Sequence, residues 1–229
     1  MRKLLLFLFV SIVIGMTGCL RDDDDTIALP IVSSGVVPDD IKGAFHGMVP
    51  IYEGIDPPNL TGNYILHPQR LVYASDGFYE PTEGLTDLYF SFQDQTADGS
   101  ISYIAKEGYT QSSASEVHVV GSGSKFTAYF INNTEGYVIK NNEPYYVSYR
   151  MASIISGTVT DSGIENIQRA FALLEKYDPN NAVMDVGAYR VFKDGDGLAE
   201  LKDWSKSAVD DAKCQSPIFT AISRTQKMK

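Results

Sequence analysis

Apolar and polar residues alternate along much of the chain after residue 41. In Asp87–Gln93 the apolar Leu88, Phe90 and Phe92 occupy every second position, and Ser100–Glu107 repeats the pattern. Because successive side chains of a strand point to opposite faces, this alternation predicts strands with one buried face. The other segments with this pattern are 64–74, 116–120, 125–132 and 145–160.

The connections between these segments are short and rich in residues that form turns. They include Asp76-Gly77, Asp98-Gly99 and Asn141-Asn142, which tolerate the positive φ that tight hairpins require. Pro68 interrupts the first segment and predicts an edge or a bend there. Many short strands joined by short turns predict a mainly β fold, an antiparallel meander that forms a barrel or a sandwich.

The segment 161–177 has a different pattern, with apolar residues spaced by three, four and three positions. That spacing places them on one face of a helix, and a capping-box pair precedes them. The alternative is a hairpin at 160–163 followed by a buried strand. We favour the helix. The residues that carry this pattern are Ile164, Ile167, Phe171 and Leu174.

The remaining C-terminal pattern predicts a last strand at 187–193 and a second short helix after it. The apolar spacing of the second helix comes from Leu198, Leu201, Trp204 and Ala208. Several strands, a helix and a last strand resemble the lipocalin layout over about residues 42–193. The resemblance implies a ligand-carrying barrel, although Phe45 stands where lipocalins usually have a tryptophan.

The first nineteen residues have the features of an export signal. Arg2 and Lys3 precede an uncharged apolar run at 4–16, which is the length of a secretory core and too short for a membrane-spanning helix. Met16-Thr17-Gly18-Cys19 follows and resembles the lipobox of bacterial lipoproteins. That resemblance implies a signal peptide at 1–18 and acylation of Cys19, which would become the new N-terminus.

An acidic leader follows the predicted lipid-attachment site. Four aspartates occupy 22–25, and a block of like charges of this kind stays solvated. An Asp directly after the lipidated cysteine signals inner-membrane retention in some Gram-negative bacteria. An acidic cluster resembles the surface-export signal of another group, and we favour this second interpretation. The sequence then predicts an outer-membrane, surface-exposed lipoprotein with a tether at 19–40 and one β-rich domain at 41–229.

The charge balance excludes one class of partner. The chain has 19 Lys+Arg and 29 Asp+Glu, a formal net charge of -10, and removal of Arg2 and Lys3 with the signal peptide takes it to -12. A nucleic-acid-binding protein would need a basic patch, so the acidic balance predicts that this protein does not bind nucleic acid. Anionic headgroups repel so acidic a body. The membrane is therefore expected as a partner only through the lipid anchor.

The candidate metal-binding residues are Asp194, Asp196 and Asp203. Carboxylates at alternate positions separated by glycines suit calcium, a hard cation that takes several oxygen ligands. The match is half-formed, because an EF-hand register puts Phe192 at the first ligand position. The alternative is a solvated turn in which Asp196 caps the following helix.

The candidate ligand-binding residues are Tyr137, Tyr145 and Tyr149, which lie within a tyrosine-rich stretch. Tyrosine presents a flat apolar face with a polar tip, which suits stacking on sugars or small amphiphiles. Alternation places Tyr146 on the face opposite Tyr145 and Tyr149. The sequence contains no complete catalytic motif, and Cys214 has no partner if Cys19 is lipidated.

We therefore expect a non-enzymatic lipoprotein whose β-rich domain binds a ligand or a protein partner outside the membrane. One alternative is a hydrolase of extracellular glycans with scattered Asp and Glu side chains, since paired carboxylates leave no sequence signature. Another is a passive structural subunit of a surface complex, for which a wide apolar patch is expected.

Overall fold

The structure, a computed structural model, describes residues 43–45, 47–79, 84–97 and 100–202. Residues 43–45 are helical, and nearly all other regular structure is β. The strands are β1 (Ile55–Asp56), β2 (Gly62–Leu66), β3 (Gln69–Ala74), β4 (Leu88–Gln93), β5 (Ser100–Glu107), β6 (Thr110–Ser122), β7 (Lys125–Lys140), β8 (Glu143–Thr160), β9 (Gly163–Tyr177), β10 (Tyr189–Asp194) and β11 (Leu198–Leu201).

The strands form one sheet that closes on itself. From β4 to β10 each strand pairs antiparallel with the next along the chain, as a meander does. Closure comes from β11, which pairs with β9 on one side and with β2 on the other. A second antiparallel pairing, between β3 and β10, adds to this closure. The predicted mainly β fold, an antiparallel meander that forms a barrel or a sandwich, is confirmed. Among the described strands only the short β1 pairs in parallel, with β6.

One end of the barrel interior is filled by aromatic and aliphatic side chains. Phe90, Phe92 and Phe126 are completely buried there. Phe92 makes edge-to-face contacts with the other two rings, at centroid distances of 5.9 and 6.5 Å, a geometry that aromatic quadrupoles favour. These rings occupy the inward positions of the alternating pattern, so the strand periodicity in the sequence identifies this core.

The chain before β1 covers part of the outer surface of the barrel. Phe45 and Val49 are buried against outward-facing side chains such as Ala152, Ile154 and Val191. The backbone N–H of Tyr52 donates to the Thr127 hydroxyl at 2.7 Å and fixes the end of this segment. The segment before β1 therefore covers apolar residues on the outer face of β8–β10, which would otherwise be exposed to water.

The helix predicted over 161–177 is wrong, and the alternative hairpin and buried strand are what the structure has. β9 has an extra residue at Asn166, which adopts a positive φ of 53° and shifts the register against β8 between Ser156 and Thr158. The bulge directs both Ile164 and Ile167 into the core despite their spacing of three. A second shift occurs farther along, between Arg150 and Met151. Bulged strands therefore imitated a helical period.

The second predicted helix is also wrong where it is described, because 198–201 is β11 and closes the barrel. The rest of that segment, including Trp204 and Ala208, lies outside the described residues. The order of strands, helix and strand that resembled the lipocalin layout is therefore not the observed one. The predicted last strand corresponds to β10.

Candidate ligand-binding cavity

The end of the barrel opposite the aromatic core contains a cavity of about 570 Å³. That volume lies in the range of about 300–1,000 Å³ that small-molecule sites occupy. Tyr103 and Phe130, with ring centroids 4.6 Å apart, separate the cavity from the filled end. Its apolar walls include Leu88, Met151, Ile155 and Leu173.

An ion pair between a buried arginine and a half-buried glutamate lies on the cavity wall. Arg169 follows the bulge in β9 at an inward position and is only 8% exposed. Its Nη2 donates to both carboxylate oxygens of Glu107, at 2.9 and 2.8 Å. Glu107 is the last residue of β5. A buried charge requires such a partner, because leaving it uncompensated in a low-dielectric interior is costly.

A stacked pair of phenylalanines lies on one side of the Arg169 guanidinium. The Arg169 Cζ lies 5.3 Å from the Phe171 ring centroid and 5.1 Å from that of Phe192. The two rings stack on each other at 5.6 Å with an interplanar angle of 16°. Cation–π attraction stabilises the charge in this position and restricts its orientation.

Gln69 completes a group that we call the Arg169 cluster, consisting of Arg169, Glu107 and Gln69. The Gln69 Nε2 donates to Glu107 Oε1 at 2.8 Å and also to the Thr86 carbonyl oxygen. Two buried polar atoms of the cluster, Arg169 Nε and Gln69 Oε1, have no hydrogen-bond partner within the described residues. Buried polar groups are normally paired, so orphaned atoms beside a cavity indicate a place for a ligand or water.

Two phenols add hydrogen-bonding capacity near the cluster. Burial raises the pKa of Tyr103 well above its ordinary value. Burial, assisted by the negative charge of Glu107, raises the pKa of Tyr149 to about 12. Both phenols therefore stay neutral near pH 7 and present hydroxyl groups rather than charges.

A chain of hydrogen bonds runs across β6, β7 and β8 beside the cavity. The Ser153 hydroxyl donates to Asn132 Oδ1 at 2.6 Å, and Asn132 Nδ2 donates to the Thr134 hydroxyl at 3.1 Å. Thr134 and Ser112 share a further bond of 2.8 Å. Since these groups satisfy one another, this wall is polar and firmly positioned.

The mouth of the cavity carries a second arginine. Arg190 Nη2 bonds Asp76 Oδ2 at 2.6 Å, and its guanidinium lies 3.9 Å from the Phe78 ring centroid. The hydrogen bond from Arg190 lowers the pKa of Asp76. The mouth is thus polar, and its charges are matched.

The loop after β9 borders the cavity through Ala182, Val183 and Met184. Asp178 accepts bonds from the backbone N–H groups of Ala182 and Val183, at 2.8 and 2.9 Å. Burial opposes ionisation of Asp178, but these bonds and Lys176 lower its pKa overall. The ionised carboxylate therefore holds the loop in place.

The structure separates the predicted tyrosines. Tyr149 lines the cavity, whereas Tyr137 pairs across the strands with Tyr146, with ring centroids 5.7 Å apart. Tyr146 is 42% exposed and bonds Glu135 at 3.3 Å. Tyr145 lies four residues before Tyr149 on β8. One of the three predicted residues is therefore at the cavity.

The predicted calcium ligands have a structural role where they are described. Asp194 is buried, and its Oδ1 accepts bonds of 3.0 Å from the backbone N–H groups of both Asp196 and Gly197. Its Oδ2 accepts from the His67 N–H at 3.2 Å. Among the residues that the structure describes, no group of three His, Cys, Asp or Glu side chains could hold a metal. Asp203 lies outside them, so the calcium site stays a prediction.

Sequence reasoning missed the Arg169 cluster, although a signal for it is present. In β5 the inward series Ile101, Tyr103 and Ala105 continues to a charged residue, Glu107. A charged residue at an inward position of a strand needs a buried partner. The helix predicted over 161–177 gave no indication that Arg169 occupies an inward position on a strand.

The chain matches no protein-family model, no curated protein and no solved structure. In the part of the chain that is described, no helix has the length and apolar character required to span a bilayer. The predicted signal peptide, Cys19 and the acidic tether lie outside that part. The functional conclusion therefore depends on the cavity and on the N-terminal sequence pattern.

Proposed function

We propose that this protein is a lipoprotein anchored by acylated Cys19 on the outer surface of the outer membrane, and that its barrel binds a small amphiphilic molecule. The cavity carries the second half of the proposal. It combines apolar walls with a buried arginine that has an orphaned donor, and such a combination suits a molecule with an apolar body and a polar end.

The N-terminal pattern supports the anchoring half. Each buried CH₂ of an acyl chain contributes about 0.8 kcal/mol, so two or three chains hold a protein durably on a bilayer. The block of four aspartates after Cys19 supports the outward-facing location by its resemblance to a surface-export signal.

A hydrolase is less well supported by the described residues. The two carboxylates that line the cavity, Asp76 and Glu107, are each paired with an arginine. A glycosidase pair requires one carboxylic acid that keeps its proton, and it relies on two carboxyl groups that face each other across the substrate. The hydrogen bond from Arg190 lowers the pKa of Asp76, which opposes the role of a protonated acid. Both carboxylate oxygens of Glu107 already accept hydrogen bonds from Arg169.

Mass spectrometry of the exported protein tests the anchor. We expect an N-terminal Cys19 carrying acyl chains, and we expect Cys19→Ala to release the protein from membranes. Protease treatment of intact cells should remove the body if it faces outward. A free thiol at residue 19 would show that the anchoring half is wrong.

Cavity blocking tests the binding half. Met151 faces the cavity from β8, and Met151→Trp should fill it without removing a hydrogen bond. The fluorescent apolar probe N-phenyl-1-naphthylamine should bind the full chain and lose most of its binding to this variant. Val72→Trp, which introduces the same side chain at a position 45% exposed on β3, is the matched control. Equal probe binding by all three proteins would contradict the proposal.

A further inference from the structure

The charges around the cavity cancel in pairs. Among the described residues, four charged side chains line it: Asp76, Glu107, Arg169 and Arg190. Arg169 bonds Glu107 at 2.8 Å, and Arg190 bonds Asp76 at 2.6 Å. The described lining is therefore neutral as a whole, which distinguishes it from a site built for an ion.

The Arg169 cluster offers a donor to a ligand but disfavours either charge on it. The buried Nε of Arg169 has no partner, so an oxygen acceptor placed there would satisfy it. A carboxylate in that position would lie close to Glu107, which already accepts three hydrogen bonds and is held in place by them. An ammonium group would instead face the guanidinium. Like charges a few ångströms apart repel each other, and more strongly at this partly buried site than in bulk water.

The apolar surroundings define the rest of the ligand. The Arg169 guanidinium lies beside the stacked Phe171 and Phe192 rings, and Leu173 and Val183 continue the apolar lining. A hydrocarbon body would replace water along these surfaces, at a gain proportional to the apolar area covered.

We propose that the cavity selects uncharged amphiphiles, molecules with a hydrocarbon body and a hydroxyl or carbonyl oxygen that accepts a hydrogen bond from Arg169. This inference rests on the proposed binding function and adds the charge of the ligand. It applies to neutral lipids and alcohols as a chemical class, and it excludes fatty acids and cationic surfactants as preferred ligands.

Three probes with the same hydrocarbon chain test the selectivity: 1-octanol, octanoate and octyltrimethylammonium. Calorimetric titration uses the full chain in lipid nanodiscs, and empty nanodiscs correct for partition into the bilayer. We expect 1-octanol to bind at least about tenfold more tightly than either ion. The reason is that each ion would make one unfavourable contact with a like charge of the Arg169 cluster. Octanoate binding as tightly as octanol would overturn the inference and leave the proposed function intact.

A charge variant provides a second measurement. Glu107→Gln leaves Arg169 with excess positive charge, so the octanoate affinity should rise about tenfold relative to the octanol affinity. Glu165→Gln makes the same charge change at an exposed position of β9 that does not line the cavity, and it should leave all three affinities unchanged. An octanoate affinity unchanged relative to the octanol affinity in Glu107→Gln would contradict the charge argument.

The outcomes separate the two proposals. If no probe binds, and N-phenyl-1-naphthylamine binds Met151→Trp as well as the unchanged protein, the cavity is not a binding site and both proposals fail. If the probes bind and Met151→Trp abolishes binding, the site is established. The order of the three affinities then tests only the preference for an uncharged ligand.

Discussion

Replacement of Arg169 by methionine tests whether the ion pair between Arg169 and Glu107 stabilises the end of the barrel that contains the cavity. Methionine matches the Arg169 stem in length as far as Nε and packs well against aromatic rings, so the substitution removes the charge and keeps an apolar contact with Phe171 and Phe192. Glu107 then keeps the hydrogen bond from Gln69 but loses its only cationic partner among the described contacts. An uncompensated carboxylate remains at the cavity wall.

The expected loss follows from the burial of the two partners. Breaking a fully buried pair costs about 3–5 kcal/mol. The Arg169 side chain is 9% exposed and that of Glu107 is 36% exposed, so water partly solvates the orphaned carboxylate. We therefore expect a loss of about 2–3 kcal/mol in the free energy of unfolding. For a protein of this size that lowers Tm by about 4–12 °C.

The assay is urea unfolding followed by circular dichroism, with two comparison variants. Arg150→Met breaks an exposed pair with Glu175, whose side chains are 47% and 61% exposed, and should cost at most about 1 kcal/mol. The double variant Arg169→Met with Glu107→Leu removes both charges and should recover most of the loss. If Arg169→Met costs no more than Arg150→Met, or the double variant is the least stable, the reasoning is refuted.

Three further predictions concern stability. Asp76→Asn should destabilise the protein above about pH 4 and have little effect where the pH is low enough to protonate Asp76. The folded-state pKa of Asp76 is lowered, so its contribution is present above the unfolded pKa of about 3.9 and disappears as the pH falls through the lowered value; unfolding across a pH series checks this. Asn166→Val should cost about 1–2 kcal/mol in urea unfolding because Asn166 has a positive φ, while Asn166→Gly should be close to neutral. Asp194→Ala leaves three backbone N–H groups without their acceptor and should cost about 2 kcal/mol or more in thermal unfolding. Unchanged stability in Asn166→Val would show that the positive φ of Asn166 is not a constraint at the bulge in β9. Unchanged stability in Asp194→Ala would show that the hydrogen bonds to Asp194 do not stabilise the turn after β10.

The sequence alone determined most of the strands and the class of fold. Alternation in Leu88–Gln93 and Ser100–Glu107 reflects a local property, because every second side chain of a strand faces the core. Turn residues such as Asn141 and Asn142, both with positive φ, mark the hairpins for an equally local reason. These signals need no knowledge of distant partners.

The sequence misled where a strand departs from its own period. At Asn166 an extra residue changes which side chains face inward, so Ile164 and Ile167 mimic a helical spacing. A bulge is specified by register with the neighbouring strand, and that register depends on pairing across the whole sheet. Local pattern therefore could not distinguish the bulged strand from a helix.

Only the tertiary structure decided the candidate site. Arg169 and Glu107 are 62 residues apart in the chain, and they meet because β11 pairs with both β9 and β2 and closes the sheet around them. Which of the tyrosines reaches the cavity was decided in the same way. The contents of an interior depend on which strands face each other across it, and closure of the barrel alone determines that arrangement.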